Sequence, residues 1–317
     1  MGITRQQALD CFASDDLIGI GMEADAVRRT LHPEGVVSYT IDRAVDCGEP
    51  DLAQMYERMR VAVEMGATGL LLQDTATKNL TLDAYEALLA GIKQRFSGIW
   101  LRGLSATEVV ALATNGERSL RDTIARLRDA GLDCIASDAV IFEDEVRKRV
   151  APERCTATEW ISVHRTAHQL GMSTSATMVF GVGETVAQRV DHLECLRGLQ
   201  EEMGGFAAFT PLAYSAGVIQ RSGDVVEPTA VEYLKTLAIS RLYLDNVANL
   251  EGSWATQGLK VLQMGLRFGG NDVGSVLLED TFGKPGGASE EELRRVIREA
   301  GFRPAQRDTL YRTMFLN

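Results

Sequence analysis

The sequence lacks the features by which membrane, secreted and metal-binding proteins are commonly recognised. It contains no apolar run near the roughly eighteen residues of a membrane span, and its N-terminus has no basic stretch followed by an apolar one. It also contains no C-x-x-C pair, because its five cysteines lie far apart, at Cys11, Cys47, Cys134, Cys155 and Cys195. These absences predict a cytoplasmic protein with reduced thiols.

The charge balance limits the kinds of partner. The 317 residues carry 33 basic and 44 acidic side chains, which gives a net charge of −11. An acidic surface repels nucleic-acid phosphates and anionic lipid headgroups, so the sequence predicts neither nucleic acid nor membrane as a partner. A small-molecule metabolite is expected instead, and a homo-oligomer or a partner enzyme stays open.

Short β-rich runs alternate with amphipathic helical segments along most of the chain. The predicted strands span 36–41, 69–73, 99–104, 133–137, 173–180 and 206–210, with two weaker ones at 247–252 and 272–277. Repeated β/α units with short links predict a parallel sheet closed into a complete or partial TIM-type (β/α) barrel. A doubly wound open sheet is the alternative. Because no Pro/Gly/Ser-rich linker is present, we expect one domain over 1–317, with a helical cap (1–35), barrel units (36–225) and a C-terminal region that completes the pocket (226–317).

In a barrel of this kind, the chemistry lies at the carboxyl ends of the strands. That rule selects polar residues that follow the predicted strands: Arg43, Gln73, Asp74, Arg102, Ser105, Ser137, Asp138, Glu184 and Tyr214.

Several long segments resemble one enzyme family. SDDLIGIGMEADAVRRTLHPEGVVSYTIDR is similar to the first helix and strand of the radical S-adenosylmethionine (SAM) enzymes that include dehypoxanthine futalosine cyclase and aminofutalosine synthase of menaquinone biosynthesis. EWISVHRTAHQLGMSTSATMVFGVGET resembles their fifth β–α unit, and AGFRPAQRDTLY resembles their C-terminal end. SWATQG and GGNDVGS favour the cyclase over the synthase. The resemblance implies a barrel of radical SAM type.

The sequence departs from this family where the cofactors would bind. The family's C-x3-C-x2-C loop holds a [4Fe–4S] cluster, but only Cys47 stands in that region here. The family's Gln-Gly-Gly turn is replaced by Gln73, Asp74 and Thr75, and its glycine run by residues 136–140, ASDAV. We therefore expect no [4Fe–4S] cluster and do not favour SAM as a cofactor. The expectation is a polar, non-radical lyase, hydrolase, isomerase or cyclase for an aromatic or nucleoside-like metabolite. A catalytically silent homologue is the alternative.

Four charged residues are the catalytic candidates under this hypothesis. Asp74, Asp138 and Glu184 would act as acid or base, and Arg102 would anchor an anion. The structural alternative is that Asp74, Asp138 and Arg102 pair with one another and fill vacated space, while Glu184 charges the first turn of its helix.

The C-terminal segments supply further candidates for binding. An aromatic ring among amide and hydroxyl groups can stack on and orient a nucleoside, which selects Trp254, Thr256, Gln257, Asn271 and Asp272. The alternative is that Trp254 belongs to the core. His164 and His168 have the i, i+4 spacing of a zinc pair, but they fall on a predicted outer helix, so no metal site is expected.

Overall fold

Strands and helices alternate along the chain as the sequence pattern predicts. The computed structural model describes residues 2–47, 51–73, 81–137, 139–215, 227–277, 288–312 and 314–315. The strands are β1 (Val36–Asp46), β2 (Gly69–Gln73), β3 (Trp100–Ser105), β4 (Cys134–Ala136), β5 (Thr174–Phe180), β6 (Phe206–Ala213), β7 (Asn249–Leu250), β8 (Asp272–Leu277), β9 (Arg303–Arg307) and β10 (Met314–Phe315). The helices are α1 (Arg5–Ala13), α2 (Leu17–Leu31), α3 (Leu52–Glu64), α4 (Leu82–Arg95), α5 (Ala106–Asn115), α6 (Leu120–Asp129), α7 (Asp144–Val150), α8 (Ala157–Gln169), α9 (Val186–Met203), α10 (Ala230–Tyr243), α11 (Trp254–Gly265) and α12 (Glu290–Glu299).

The first eight strands form a closed ring. β1 to β4 pair in parallel in chain order, and so do β5 to β7. A parallel bridge between Val140 and Val179 joins the two groups, and a second one between Glu251 and Asp272 joins β7 to β8. β8 pairs with β1 in parallel and so completes the circle. The closure rules out the open doubly wound sheet and confirms the predicted barrel.

Local sequence signals begin and end the outer helices. Thr156 and Glu159 form a capping box at the start of α8, in which the side chain of each residue accepts a hydrogen bond from the backbone N–H of the other. Gly131 after α6 and Gly171 after α8 have φ values of +118° and +77°, which is a conformation that favours glycine. Each glycine therefore stops its helix and turns the chain towards the next strand.

The C-terminal end of the chain reaches the amino-terminal mouth of the ring. β9 runs parallel to the first residues of β1, from Val36 to Tyr39. The chain then passes beneath β2, where Thr68 Oγ1 donates to the Arg307 carbonyl at 3.3 Å. A Cβ at Gly69 would collide with the side chains of Asp42 and Thr309, so glycine is required for this close approach.

The histidines considered for zinc lie in a dry cluster on the outside of the barrel. His164 Nδ1 and His168 Nε2 share Thr174 Oγ1 at 3.0 and 2.8 Å, and the His164 ring lies 3.8 Å from that of Trp160. Burial lowers the pKa of His168 to about 4, which keeps it neutral. Within the described ranges, no three His, Cys, Asp or Glu side chains are arranged to hold a metal ion.

The helices that the structure describes include none long and apolar enough to cross a bilayer. The cytoplasmic location stays a prediction. So does the assignment of 1–317 to one domain, although β7 and β8 from the C-terminal region complete the ring begun by β1 to β6.

Candidate active site

The interior of the barrel holds a polar cavity of about 210 Å³. Leu71, Leu212 and Leu310 supply apolar wall, and β4 contributes Cys134. The polar and charged lining comes from several strands and from the C-terminal segment: Arg102, Ser137, Thr174, Ser175, Thr177, Thr210, Glu251, Arg307, Thr309 and Tyr311. Apolar walls with a few convergent polar groups are typical of a small-molecule site.

A buried ion pair fixes the base of this cavity. Arg307 donates to Asp272 through Nε at 2.6 Å and through Nη2 at 2.8 Å. The same carboxylate accepts from the Gly274 amide at 2.8 Å and from the Ser38 hydroxyl. Both charged side chains are at most 4% exposed. The Asp272 carboxylate therefore accepts hydrogen bonds at both of its oxygens, and it holds the Arg307 guanidinium at the edge of the cavity.

Glu251 stands beside this pair and is less fully engaged. One of its carboxyl oxygens lies 3.8 Å from Arg307 Nη2, which is beyond hydrogen-bonding distance. Burial, followed by repulsion from Asp272, raises the pKa of Glu251 to about 7. This carboxyl can therefore hold or release a proton near neutral pH.

Arg102 projects from β3 into the same space. Among the described residues its nearest carboxylate is Asp42, with Nη2 and Oδ2 separated by 3.6 Å. That Oδ2 atom is buried and has no hydrogen-bond partner within the described chain, and the same is true of the Tyr311 hydroxyl and Thr309 Oγ1. The cavity and its surroundings therefore contain charged groups that are incompletely paired, Arg102 and Asp42, and two hydroxyl groups that bond to no described residue. This pattern is expected of a site that binds a polar ligand.

Of the residues selected from the sequence, Arg102 and Ser137 line this cavity. Ser137 Oγ lies 3.1 Å from Thr177 Oγ1 on the neighbouring strand β5. Asp74 and Asp138, the two proposed acid–base carboxylates, lie outside the described residues, so their role stays a prediction.

Glu184 occupies the glycine-rich turn after β5, where its carboxylate serves the local structure. It accepts from the Gly181 and Val182 amides at 2.7 and 2.8 Å and from Arg189 Nε at 2.6 Å. The side chain is fully buried. Its contacts are those of the structural alternative, in which the carboxylate supports its own turn and helix, and its catalytic role stays a prediction.

Replacing Glu184 with glutamine should lower the free energy of unfolding by about 3 kcal/mol, because it leaves the buried Arg189 charge without its inner partner. Glu232→Gln is the matched control. Glu232 also contacts Arg189 at 2.6 Å but is 41% exposed, so its loss should cost about 1 kcal/mol or less. Urea unfolding of the two variants checks the difference, and equal losses would contradict this reading of Glu184.

The SWATQG and GGNDVGS residues lie around the barrel closure, and none of those selected as candidates lines the cavity. Asn271 is buried and accepts from Arg241 Nη2 at 2.7 Å and from the Leu250 amide at 2.8 Å. Trp254 packs against a cluster of buried apolar side chains that includes Leu262 and Leu266. Thr256 Oγ1 contacts Ser253 Oγ at 3.0 Å, and Gln257 Nε2 donates to the Thr256 carbonyl at 3.1 Å.

Of the remaining candidates, Arg43, Gln73 and Ser105 lie within their strands and Tyr214 directly follows β6, and the contacts described for them are local. Ser105 caps α5 and donates to Glu108 at 2.6 Å. The Gln73 carbonyl accepts from the Cys47 amide at 2.7 Å, and the Tyr214 amide donates to the Phe180 carbonyl at 2.8 Å. Arg43 lies on β1 opposite Leu70 of β2. Their roles in binding are untested predictions.

Sequence reasoning missed the residues that dominate the cavity. Glu251, Arg307 and Tyr311 were overlooked because the search covered strand ends and the SWATQG and GGNDVGS segments, whereas Glu251 directly follows β7 and Arg307 and Tyr311 lie at and after the end of β9. Thr177 carried a usable signal, because a hydroxyl in the middle of a strand buried on both faces is unusual.

The comparisons with known proteins agree with this architecture. The radical SAM superfamily model matches residues 38–196, and the model of the CofH/MqnC C-terminal region matches residues 203–316. The HydG maturase of the FeFe-hydrogenase from Carboxydothermus hydrogenoformans superposes with a TM-score of 0.75 over 98% of this chain and 78% of its own, at 14% identity. That likeness concerns the fold alone. The chain belongs to the radical SAM superfamily and has its TIM-type barrel.

Sequence relatives place the chain within one branch of that superfamily. It is 34% identical to the cyclic dehypoxanthine futalosine synthase of Streptomyces coelicolor, over 98% of this chain and 85% of the relative. It is 36% identical to the aminodeoxyfutalosine synthase of Thermus thermophilus, over 72% of this chain and 64% of that protein. The 5-amino-6-(D-ribitylamino)uracil–L-tyrosine 4-hydroxyphenyl transferase of Methanopyrus kandleri is 36% identical, over 84% of this chain and 76% of its own. These matches confirm the resemblance to the futalosine cyclase and aminofutalosine synthase family.

The family assignment corrects two predictions from the sequence. The expectation of a non-radical enzyme, or of a silent homologue, was wrong, because both family models and relatives over 98% of the chain place it among radical SAM enzymes. The same matches overturn the expectation that the protein lacks a [4Fe–4S] cluster and that SAM is not favoured as its cofactor. The expectation that the chain is an enzyme is supported, since these relatives carry the names of enzymes.

The described cysteines do not by themselves form a cluster site. Cys11, Cys134, Cys155 and Cys195 lie on α1, on β4, before α8 and on α9, and Cys47 follows β1. Burial raises the pKa of the Cys134 thiol to about 11, whereas cluster ligands are thiolates. The thiols of the described residues therefore do not supply the set of thiolates that a cubane cluster requires.

Proposed function

We propose that this protein is an enzyme of the futalosine branch of the radical SAM superfamily and that it binds a futalosine-type nucleoside in the barrel cavity. One observation carries the proposal. The CofH/MqnC C-terminal match over 203–316 covers the segment that supplies Glu251, Arg307, Thr309 and Tyr311 to the cavity. The region shared with this family therefore supplies two of the three charged side chains that line the cavity, Glu251 and Arg307.

The residues of the cavity suit a polyhydroxylated ligand. Arg102 offers guanidinium donors, and Tyr311 and Thr309 offer hydroxyls without protein partners among the described residues. Glu251 can donate or accept a hydrogen bond according to its protonation. Leu71 and Leu212 provide apolar surface for a ring. In this proposal the chain's own side chains bind and orient the nucleoside and exclude water from the barrel interior.

Calorimetric titration with dehypoxanthine futalosine tests the proposal. We expect saturable binding, and a melting temperature that rises with ligand concentration, because the ligand binds only the folded state. 5-amino-6-(D-ribitylamino)uracil, taken from the name of the transferase relative, is the comparison ligand and should bind at least about tenfold more weakly, a difference of 1.4 kcal/mol.

Two results would overturn the proposal. The first is the absence of binding by dehypoxanthine futalosine to folded protein. The second is tighter binding of the ribityl-uracil, which would assign the cavity to the chemistry of the transferase. The Arg5→Ala variant, which alters an arginine that is 49% exposed and pairs with Asp191 outside the barrel, should bind like the wild type.

A further inference from the structure

Three of the protein's four histidines lie where α8 and α9 pack against strand β5. His164 Nδ1 and His168 Nε2 of α8 lie 3.0 and 2.8 Å from Thr174 Oγ1. His192 Nε2 of α9 lies 3.1 Å from the Thr177 carbonyl oxygen. Thr174 and Thr177 both line the cavity. The three imidazoles, here called the histidine cluster, therefore connect two outer helices to a strand that forms the cavity wall.

The surroundings of the histidine cluster are aromatic and closed to water. The ring centroids are 3.8 Å apart for His164 and Trp160, 3.9 Å for His192 and Phe142, and 4.8 Å for His168 and Phe206. All three histidines are at most 7% exposed. Burial lowers the pKa of His168 to about 4 and the pKa of His192 to about 3, and it also lowers the pKa of His164. The three rings are therefore neutral at pH 7.

Each ring of the cluster has one nitrogen that bonds to nothing. His164 Nε2, His168 Nδ1 and His192 Nδ1 are buried and have no hydrogen-bond partner among the described residues. An imidazolium carries a proton on both of its nitrogens. Protonation of any of the three rings would therefore bury an N–H group that has no acceptor, and this is unfavourable whatever the charge of the ring.

The charged groups near the cluster also oppose its protonation. Arg147 of α7 lowers the pKa of His192, and His168 lowers that of His164, whereas no described carboxylate acts on the three rings. The following charged side chains on the neighbouring helices have partners of their own: Glu108 with Ser105, Arg128 with Asp129, Arg165 with Glu202, Arg189 with Glu184, and Asp191 with Arg5.

The direction of the pH dependence follows from this arrangement. Histidine in an unfolded chain has a pKa near 6.5, so an opened cluster binds protons below that pH and the packed cluster does not. The stability that the neutral cluster contributes is fully present above about pH 6.5. It is lost progressively as the pH falls towards about 4, where His168 titrates in the folded protein.

We propose that the histidine cluster is an acid-sensitive support of the barrel wall, and that proton uptake by its rings releases α8 and α9 from β5. The release would open the wall of the cavity from the outside, at the strand that carries Thr174 and Thr177. This inference concerns the integrity of the wall and not its ligand, so it goes beyond the proposed function.

Hydrogen exchange of the ligand-free protein at pH 7.5 and pH 5.5 tests the inference. Opening of α8 exposes two histidines, and each should raise the opening constant about tenfold between these pH values. After correction for intrinsic exchange rates, the α8 amides should therefore lose about 100-fold in protection. The α4 amides, on a helix without histidine, should lose less than about tenfold. A melting temperature would not isolate this effect, because Glu251, with its pKa raised to about 7, stabilises the folded protein as the pH falls through the same range.

The His168→Gln variant removes one of the two titrating rings of α8. Its α8 amides should lose only about tenfold in protection between pH 7.5 and pH 5.5, whatever the stability of the variant at pH 7.5. His32→Gln is the matched control. His32 contacts the Ala248 carbonyl at 2.8 Å outside the cluster, so this variant should lose about 100-fold, as the wild type does.

A second measurement observes the rings directly and needs no variant. The protein has only four histidines, so NMR spectra of protein labelled with carbon-13 in histidine resolve each ring. The three cluster rings should stay neutral in the folded protein down to pH 5.5. A cluster ring that titrates near pH 6.5 in the folded protein would overturn the inference, and so would equal losses of protection in α8 and α4. No ligand takes part in these measurements, so neither outcome affects the proposed function.

Discussion

Replacing Asp272 with asparagine is expected to lower the free energy of unfolding by about 4 kcal/mol, because it leaves the buried Arg307 guanidinium without its two charge-assisted bonds. The substitution preserves the size of the side chain. The loss in free energy of unfolding therefore measures the effect of charge and hydrogen bonding and not that of a void in the packing. Arg307 is the last residue of β9, and the pair ties the C-terminal segment to β8. Chemical denaturation followed by far-ultraviolet circular dichroism measures the change.

An exposed ion pair supplies the control for this experiment. Asp122 pairs with Arg118 at 3.2 Å, and both side chains are more than 40% exposed, so Asp122→Asn should cost less than about 0.5 kcal/mol. The double variant Asp272→Asn, Arg307→Met contains no buried guanidinium that lacks its carboxylate. Its free energy of unfolding should therefore be partly restored relative to Asp272→Asn alone. A loss below about 1 kcal/mol for Asp272→Asn alone would show that the pair does not anchor the segment.

Replacing Arg102 with methionine is expected to weaken the binding of dehypoxanthine futalosine by about 100-fold, or 2.7 kcal/mol. The methionine occupies a similar length of the cavity wall but offers no donor to the ligand. Because Asp42 also loses its nearby cation, the melting temperature of the variant must be measured before its affinity. Calorimetric titration of the folded variant then gives the loss in binding.

The Arg102→Lys variant separates the charge from the shape of the guanidinium. Lysine keeps the positive charge beside Asp42 but presents a point donor instead of a planar fork, so we expect a loss in affinity of about tenfold. Arg118→Met, in the link between α5 and α6, should leave the affinity unchanged. If folded Arg102→Met binds the nucleoside within about threefold of the wild type, Arg102 has no role in the site.

The strands were predicted well because each is an apolar run bounded by its own helix stop. Residues 69–73 and 272–277 match β2 and β8 in full, and the weaker prediction at 247–252 contains the short strand β7. Glycine at 131 and 171 ends a helix by local conformational preference, which needs no tertiary information.

The site was predicted less well because its members come from distant parts of the chain. Arg102 and Ser137 follow the rule of strand ends, and both line the cavity. Glu251 and Tyr311 share no local motif with them, and they meet only when the ring has closed and the segment after β9 packs against the amino-terminal mouth of the barrel. Glu184 and Asp272 were selected from the sequence, but their carboxylates accept hydrogen bonds from backbone amides and arginine side chains of the protein itself.

The sequence by itself determined the alternation of strands and helices, the barrel class and the family, because local periodicity, caps and long matching segments encode them. Only the tertiary structure decided which charges share the cavity and how completely each is paired. Asp272 and Glu251 show the physical reason. Both are acidic residues that reach the same interior, but one accepts four hydrogen bonds and the other none within the described chain. The Arg307 guanidinium lies 2.6 and 2.8 Å from the Asp272 oxygens but 3.8 Å from Glu251, and no pattern of residue types records such a difference.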